Sequence, residues 1–187
     1  MIKKGYLVVI GVFLIALTSI AHADNLALNG IATQSSDYRW YYGAANAIDG
    51  NVNRNISSWS VTHTNCDYQA WWMVDLRATY HINEIVIWNR DANIERLSDF
   101  NVSVLDSQSD IVWQSNYLLP PDPFLDIILP GNITGEFVKV RLNGTNYLSL
   151  AEVQVYGDTS PVPLPPSVWL FGSGLVGLIG LRRFRRS

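Results

Sequence analysis

"AWWMVDL", Ala70 to Leu76, and "HINEIVIWN", His81 to Asn89, decide how this chain of 187 residues is read. Both interleave apolar and polar residues at short spacing, and both are rich in Trp, Ile and Val. Side chains of an extended strand point alternately to its two faces, so this pattern marks strands with a buried face. The same signature recurs in "FNVSVLD" (100–106), "DIVWQSN" (110–116), "FLDIILP" (124–130), "EFVKVRL" (136–142) and "LAEVQVYG" (150–157), with Asn, Asp, Gly and Pro between the runs. No stretch between the termini sustains a helical period. The spacing predicts an all-β domain, an antiparallel β-sandwich or jelly roll with its loops gathered at the two ends. Trp71, Trp72 and Trp88 stand inside strand runs and are expected in its core.

The two ends of the chain read differently. Residues 1–23 carry Lys3 and Lys4, an apolar run and then Ala21-His22-Ala23, the layout of a secretory signal peptide with its cleavage site. Residues 159–187 open on a proline-rich linker, continue with an apolar stretch from Val168 to Leu181 and close on Arg182, Arg183, Arg185 and Arg186. That stretch is a short transmembrane helix against the usual span of about 20 residues, and the arginines would hold its end in the cytoplasm. With its "VPLP" start (162–165), the tail resembles the bacterial PEP-CTERM sorting signal. The resemblance implies an exported protein of a Gram-negative bacterium, anchored for a time in the inner membrane. It also implies an exosortase-type processing enzyme as partner, with the cell surface, the extracellular matrix or secretion as destination.

Between these ends, residues 24–158 form one domain by length. They hold all sixteen acids against seven basic residues, a net charge of −9. An acidic domain of this kind is not built to bind nucleic acid, which asks for a basic surface. Cys66 is the chain's one cysteine, so no internal disulfide forms, and a buried inert thiol is expected.

Two loops carry the chemistry. "NRDANIERLSDF", Asn89 to Phe100, packs Arg90 and Arg96 among Asp91, Glu95 and Asp99. These charges are either an exposed ion-pair cluster, worth little in stability, or fixed groups aimed at something polar. "NAIDGNVNRNISSWS", Asn46 to Ser60, offers Asn46, Asp49, Asn51 and Ser60, and "LAEVQ" adds Ala151 and Glu152. Carboxylates, amides, hydroxyls and carbonyls are the oxygens that Ca²⁺ collects in sets of about six to eight. The alternative is an Asx-rich turn without metal. Paired carboxylates free of this set are missing, which argues against a hydrolase.

Read in order, "NLALNGIATQSS", "NAIDGN", "WWMVDL", "ERLSDFNVSVLD" and "YLSLAEVQVYG" follow the pattern of the discoidin, or coagulation-factor C-type, β-sandwich. Within it the chain most resembles the F-type lectins, or fucolectins, over about Asn25 to Gly157. Their sugar motif is a histidine, twenty-six residues, an arginine, then an aspartate and a second basic residue past four more. His63 and Arg90 have that separation, and Asp91 is followed by four residues and Arg96. The chain lacks the residue that the family places between arginine and aspartate, and it has Ala92 and Asn93 where the family often has paired cysteines.

The resemblance implies a sugar site of His63, Arg90 and Arg96, with Asp91 holding an arginine fork and Tyr38 as an aromatic wall; Trp40 and Trp59 are further candidates for such a wall. A guanidinium donates several bonds in a fixed plane, which suits adjacent sugar hydroxyls. Imidazole serves another hydroxyl, and an aromatic ring covers the apolar side of a pyranose. It likewise implies a structural calcium at Asn46, Asp49, Asn51, Ser60, Ala151 and Glu152. The expected function is a non-catalytic lectin for fucose or a fucose-like terminal sugar. The alternative is a discoidin-type adhesion or matrix module that binds exopolysaccharide or protein without fucose specificity.

Overall fold

The computed structural model describes residues 24–131 and 133–158; the expected signal peptide and sorting tail lie outside the described residues. Nine strands make up the domain: β1 (Ile31–Gln34), β2 (Cys66–Tyr68), β3 (Trp71–Asn89), β4 (Phe100–Leu105), β5 (Ile111–Tyr117), β6 (Phe124–Ile128), β7 (Thr134–Leu142), β8 (Thr145–Tyr147) and β9 (Leu150–Gly157). Every pairing is antiparallel, as expected of a discoidin-like sandwich.

The two runs that opened the sequence reading are not separate strands. They are the halves of β3, which runs through 19 residues without a break. Its first half pairs β1 and β7 in the order β1-β3-β7-β4-β5, and its second half lies between β6 and β9. The bend comes between Asp75 and Tyr80, where the register with β7 shifts. There Arg77 has a left-handed backbone, with φ of 67°, and its N–H donates to Asp75 Oδ1 at 2.6 Å. Ordinary turn residues are absent from "RATY", which is why the sequence shows a gap and not a corner.

Alternation sets the core. Trp72, Val74 and Leu76 point inward from β3. Trp72 aligns with Val140 and Val140 with Val102, while Val74 aligns with Val138 and Val138 with Val104. Ile85, Ile87, Val153, Val155 and Ile127 close the core from the other layer. Burying each such side chain contributes about 1.5–3 kcal/mol, so the packed layers supply what disulfides would in a smaller domain.

Of the three tryptophans expected in this core, only Trp72 is fully inside, with Nε1 donating to Ala44 O at 2.9 Å. Trp71 turns to the outer face, where Lys139 Nζ lies 4.9 Å from its ring. Trp88 joins a second, smaller cluster with Tyr42, Val61 and Ala151. The pleat forces this: neighbours on a strand cannot share a face. Cys66 is also corrected, being exposed. Its strand β2 pairs only with β8 and has no layer over it.

Candidate functional site

Sugar-motif residues converge at the end of the sandwich where β3 stops and β9 begins. Asn89 organises the loop after β3: Nδ2 donates to Ile94 O and Pro121 O, both at 3.0 Å, and Oδ1 accepts from Arg90 N at 2.9 Å. Asn93 is left-handed, with φ of 52°, and this lets the short loop close on the 3-10 turn Ile94–Arg96. Asparagine tolerates that conformation better than most residues.

His63 arrives from the opposite side on a strap, residues 60–64. Thr62 N and Thr64 N donate to Leu150 O and Leu148 O, and the two threonine hydroxyls accept from Leu150 N and Leu148 N in return. Four bonds thus clamp the histidine between two buried threonines. Its Nδ1 lies 2.7 Å from Thr64 O and its Nε2 lies 3.4 Å from Arg96 Nη1. Burial pushes the imidazole pKa down, and the charges of Arg90 and Arg96 push it the same way, against the Thr64 carbonyl. The ring is therefore neutral at physiological pH. With Nδ1–H given to Thr64 O, Nε2 is the acceptor, and its lone pair takes the long bond from Arg96 Nη1.

Arg90 is 4% exposed, and its Nη2 reaches Asn93 Oδ1 at 3.3 Å. Its Nε and Nη1 are buried with no hydrogen-bond partner. Burial, with Arg96 beside it, lowers its pKa, while Asp91 and Glu95 oppose that from a distance. Arg96 lies with Cζ 4.7 Å from the Tyr147 ring centroid. Tyr38 is half in the site: 46% exposed, its ring 4.8 Å from His63. Trp40 and Trp59 are exposed and meet Tyr41, not the histidine.

Asp91 does not do what the resemblance implied. Its side chain is exposed, its N–H donates to Arg54 O at 3.1 Å, and among the described residues the ion pair found is Arg54–Asp122 at 2.6 Å. The side chain that hydrogen-bonds the Arg90 guanidinium is that of Asn93. Sequence reasoning missed Asn93, Tyr42 and Tyr147 as parts of the site. Tyr147 lay within a quoted motif, but it is the Thr64–Leu148 bonds and the β2–β8 pairing that bring it to His63, 5.3 Å ring to ring.

Of the oxygen-bearing residues, Asp49 and Glu152 come together. Glu152 is fully buried at the start of β9, with Oε1 accepting from Gly50 N at 3.1 Å. Its Oε2 is buried and has no partner. Burial raises its pKa to about 7, the Asp49 charge adds to this, and the Gly50 N–H works against it. Gly50 supplies the positive φ of 81° that turns the loop onto the carboxylate. Ser60 Oγ donates to Asn53 O at 2.6 Å, and Asn46 Nδ2 donates to Tyr41 O, Trp59 O and Val61 O at 3.0–3.1 Å. Asn46 and Ser60 thus brace the loop itself, while Gly50 and the nearby Asp49 are what face Glu152. No group of three His, Cys, Asp or Glu capable of holding a metal occurs among the described residues, so any cation here would rest on two carboxylates and neutral oxygens.

Comparison with known proteins identifies the family. A family described as the NedA-like, galactose-binding domain of F5/F8 type C matches residues 46–120. Fucolectin-3 of Anguilla japonica is 40% identical over 146 residues, 71% of this chain and 78% of its own length. A Streptococcus pneumoniae fucose binding module superposes with a TM-score of 0.69 at 36% identity, over 73% of this chain and 99% of the module. The lectin domain of lectinolysin, solved in complex with Lewis B antigen, gives 0.68 at 35% identity, over 73% and 98%. An antiparallel sandwich that superposes on a solved fucose binding module, and identity across most of the domain, lead to one assignment: the chain belongs to the fucolectin family.

Proposed function

We propose that residues 24–158 form an exported, non-catalytic lectin module that binds terminal fucose or a fucose-like sugar and is stabilised by a structural calcium ion. The observation that carries the reading is the Arg90 guanidinium, charged and buried with two donor nitrogens unpartnered. Native proteins leave few buried donors unmade, because each costs about 1–3 kcal/mol. A pyranose supplies the missing acceptors: adjacent hydroxyls and a ring oxygen can take the planar fork of Arg90, and a sugar O–H can displace the long Arg96 bond and donate to His63 Nε2. Arg96 stands beside that nitrogen, and the half-exposed Tyr38 ring offers a face to the apolar side of the sugar. Relatives named for fucose binding, and one solved with Lewis B antigen, support the ligand class.

The residues present fit calcium. Buried Glu152 Oε2 lacks any partner, and a second carboxylate, Asp49, stands near enough to raise its pKa. Asp49 and Glu152 would hold the ion with oxygens of Asn46, Asn51, Ser60 and Ala151. When bound, the ion would supply positive charge to a carboxylate that is otherwise costly to ionise. Export, transient inner-membrane anchoring and exosortase-type cutting of the tail belong to the same proposal and rest on the terminal sequences.

One observation favours a second reading. Asp91 faces away, so neither site arginine has a carboxylate partner. Such a pair also suits an acidic exopolysaccharide, as an adhesion or matrix module would need. A glycan array probed with residues 24–158 separates the two. Selective retention of terminal fucosides supports the lectin; silence there with binding to uronic-acid polymers supports the matrix module. Release of free sugar from any bound glycan would overturn the non-catalytic reading.

A further inference from the structure

Arg54 sits in the middle of the Asp49–Ser60 loop, yet its side chain leaves that loop and grips the other. Its Nε donates to Asn89 O at 2.8 Å, and its Nη2 donates to Arg90 O at 3.2 Å and to Asp122 Oδ1 at 2.6 Å. Its own carbonyl accepts from Asp91 N at 3.1 Å. One residue therefore fixes the peptide carbonyl on either side of the Arg90 Cα, and the next amide as well. Within its own loop Arg54 follows Asn53, whose carbonyl accepts from Ser60 Oγ at 2.6 Å and whose N–H donates to Asn51 Oδ1 at 3.0 Å. A short hydrogen-bonded strut thus joins Asn51 and Ser60 to the backbone of Arg90.

We propose that Arg54 is a positioning residue that couples the two sites, so that a cation held by Asp49 and Glu152 and a glycan held by Arg90 each tighten the other. The inference rests on both sites of the proposed function. Arg90 has little else to fix its direction, since its guanidinium makes one long bond, to Asn93 at 3.3 Å. Ordering the Asp49–Ser60 loop orders the Arg54 fork, and through two carbonyls it fixes where the Arg90 side chain starts. The glycan then meets a preorganised guanidinium and loses less to ordering. By linkage, the sugar must strengthen cation binding by the same factor. Lysine cannot substitute, because a point ammonium does not span two carbonyls as a planar fork does.

The solved pneumococcal module is matched over 99% of its length by this domain, so residues 24–158 correspond to a unit that stands alone. Calorimetry with methyl α-L-fucoside, in calcium and in chelator, gives the coupling as a ratio of dissociation constants. Melting curves in the same buffers report the cation site independently. Wild type is expected to bind about tenfold tighter in calcium, within the usual range of coupling. In Arg54→Lys and Arg54→Gln the ratio should fall below about twofold while calcium still raises Tm. Asp122→Asn keeps both carbonyl bonds and should keep the wild-type ratio. An unchanged ratio in both Arg54 variants overturns the coupling alone. Loss of the calcium-dependent rise in Tm in both overturns it too, since Arg54 would then serve only its own loop. A wild-type Tm indifferent to calcium removes the metal reading and the coupling together, and a wild type that ignores the fucoside removes the sugar reading and the coupling together.

Discussion

At Arg90 a planar cation lies out of water with one long hydrogen bond and two idle donors. Truncating it removes little that the empty fold uses and much that a sugar would use. Arg90→Ala should weaken fucoside binding by about 1.5–3 kcal/mol, roughly ten- to a hundredfold, with Tm nearly unchanged. Arg90→Lys should weaken it as well, since charge without the fork does not serve two hydroxyls. Calorimetry beside melting curves checks both, and wild-type affinity in either variant would show that this loop does not read the sugar. His63 adds a pH signature. Its folded pKa is held below the ordinary value of about 6.5, so the unfolded chain takes up the proton first. Its contribution to stability is complete above about pH 6.5 and is lost as pH falls toward the lower folded pKa. Fucoside affinity should hold from pH 8 to 7 and decline as pH falls toward the lowered folded pKa, once the Nε2 lone pair is protonated. In His63→Gln the affinity should be weaker and flat with pH.

Glu152 shows how a loop and a strand are joined into one element. Its carboxylate reaches from β9 to the Gly50 amide and leaves Oε2 idle. At pH 8 without a cation, ionising so buried a group costs stability, because its folded pKa is about 7, well above the ordinary carboxylate range. Glu152→Gln removes that charge, so it should melt no lower than wild type in chelator and gain nothing from calcium. Wild type should gain about 2.7 kcal/mol at a hundredfold excess over the dissociation constant, and Asp49→Ala should lose that gain. Identical wild-type melting curves in calcium and in chelator would sink the metal reading. The strap that carries His63 makes a second test. Thr64→Val orphans the Leu148 N–H, now bonded to Thr64 Oγ1 at 2.9 Å. A buried amide left so costs about 1–3 kcal/mol, read as a Tm lowered by several degrees.

Across the whole molecule, an acidic domain of net charge −9 lies between two apolar, basic-flanked ends. Those ends predict processing in the native host. Mass spectrometry of protein recovered outside the cell should find neither residues 1–23 nor Arg182 to Ser187. Recovery of either intact would count against the export route read from the termini. The domain in between needs neither end for its core, since Trp72, Phe100, Val140 and Val155 are enclosed by strands within residues 24–158.

Period-two alternation made the fold class legible from sequence, because the pleat of a strand is a local property that side-chain order must obey. The motif spacing also singled out His63, Arg90 and Arg96, which the fold brings side by side, since a family motif is written in chain distance. Tertiary structure alone decided the rest. It turned two runs into one bent β3, put Trp71 and Trp88 outside the main core, and left Cys66 in water. It faced Asp91 outward and brought Asn93, Tyr42 and Tyr147 to the histidine and the arginines. It also sent Arg54 from one loop into another. These outcomes depend on which surfaces pair across long stretches of chain, and on where a loop one residue shorter can close. Such contacts are set by packing between elements, and no local pattern in the sequence records them.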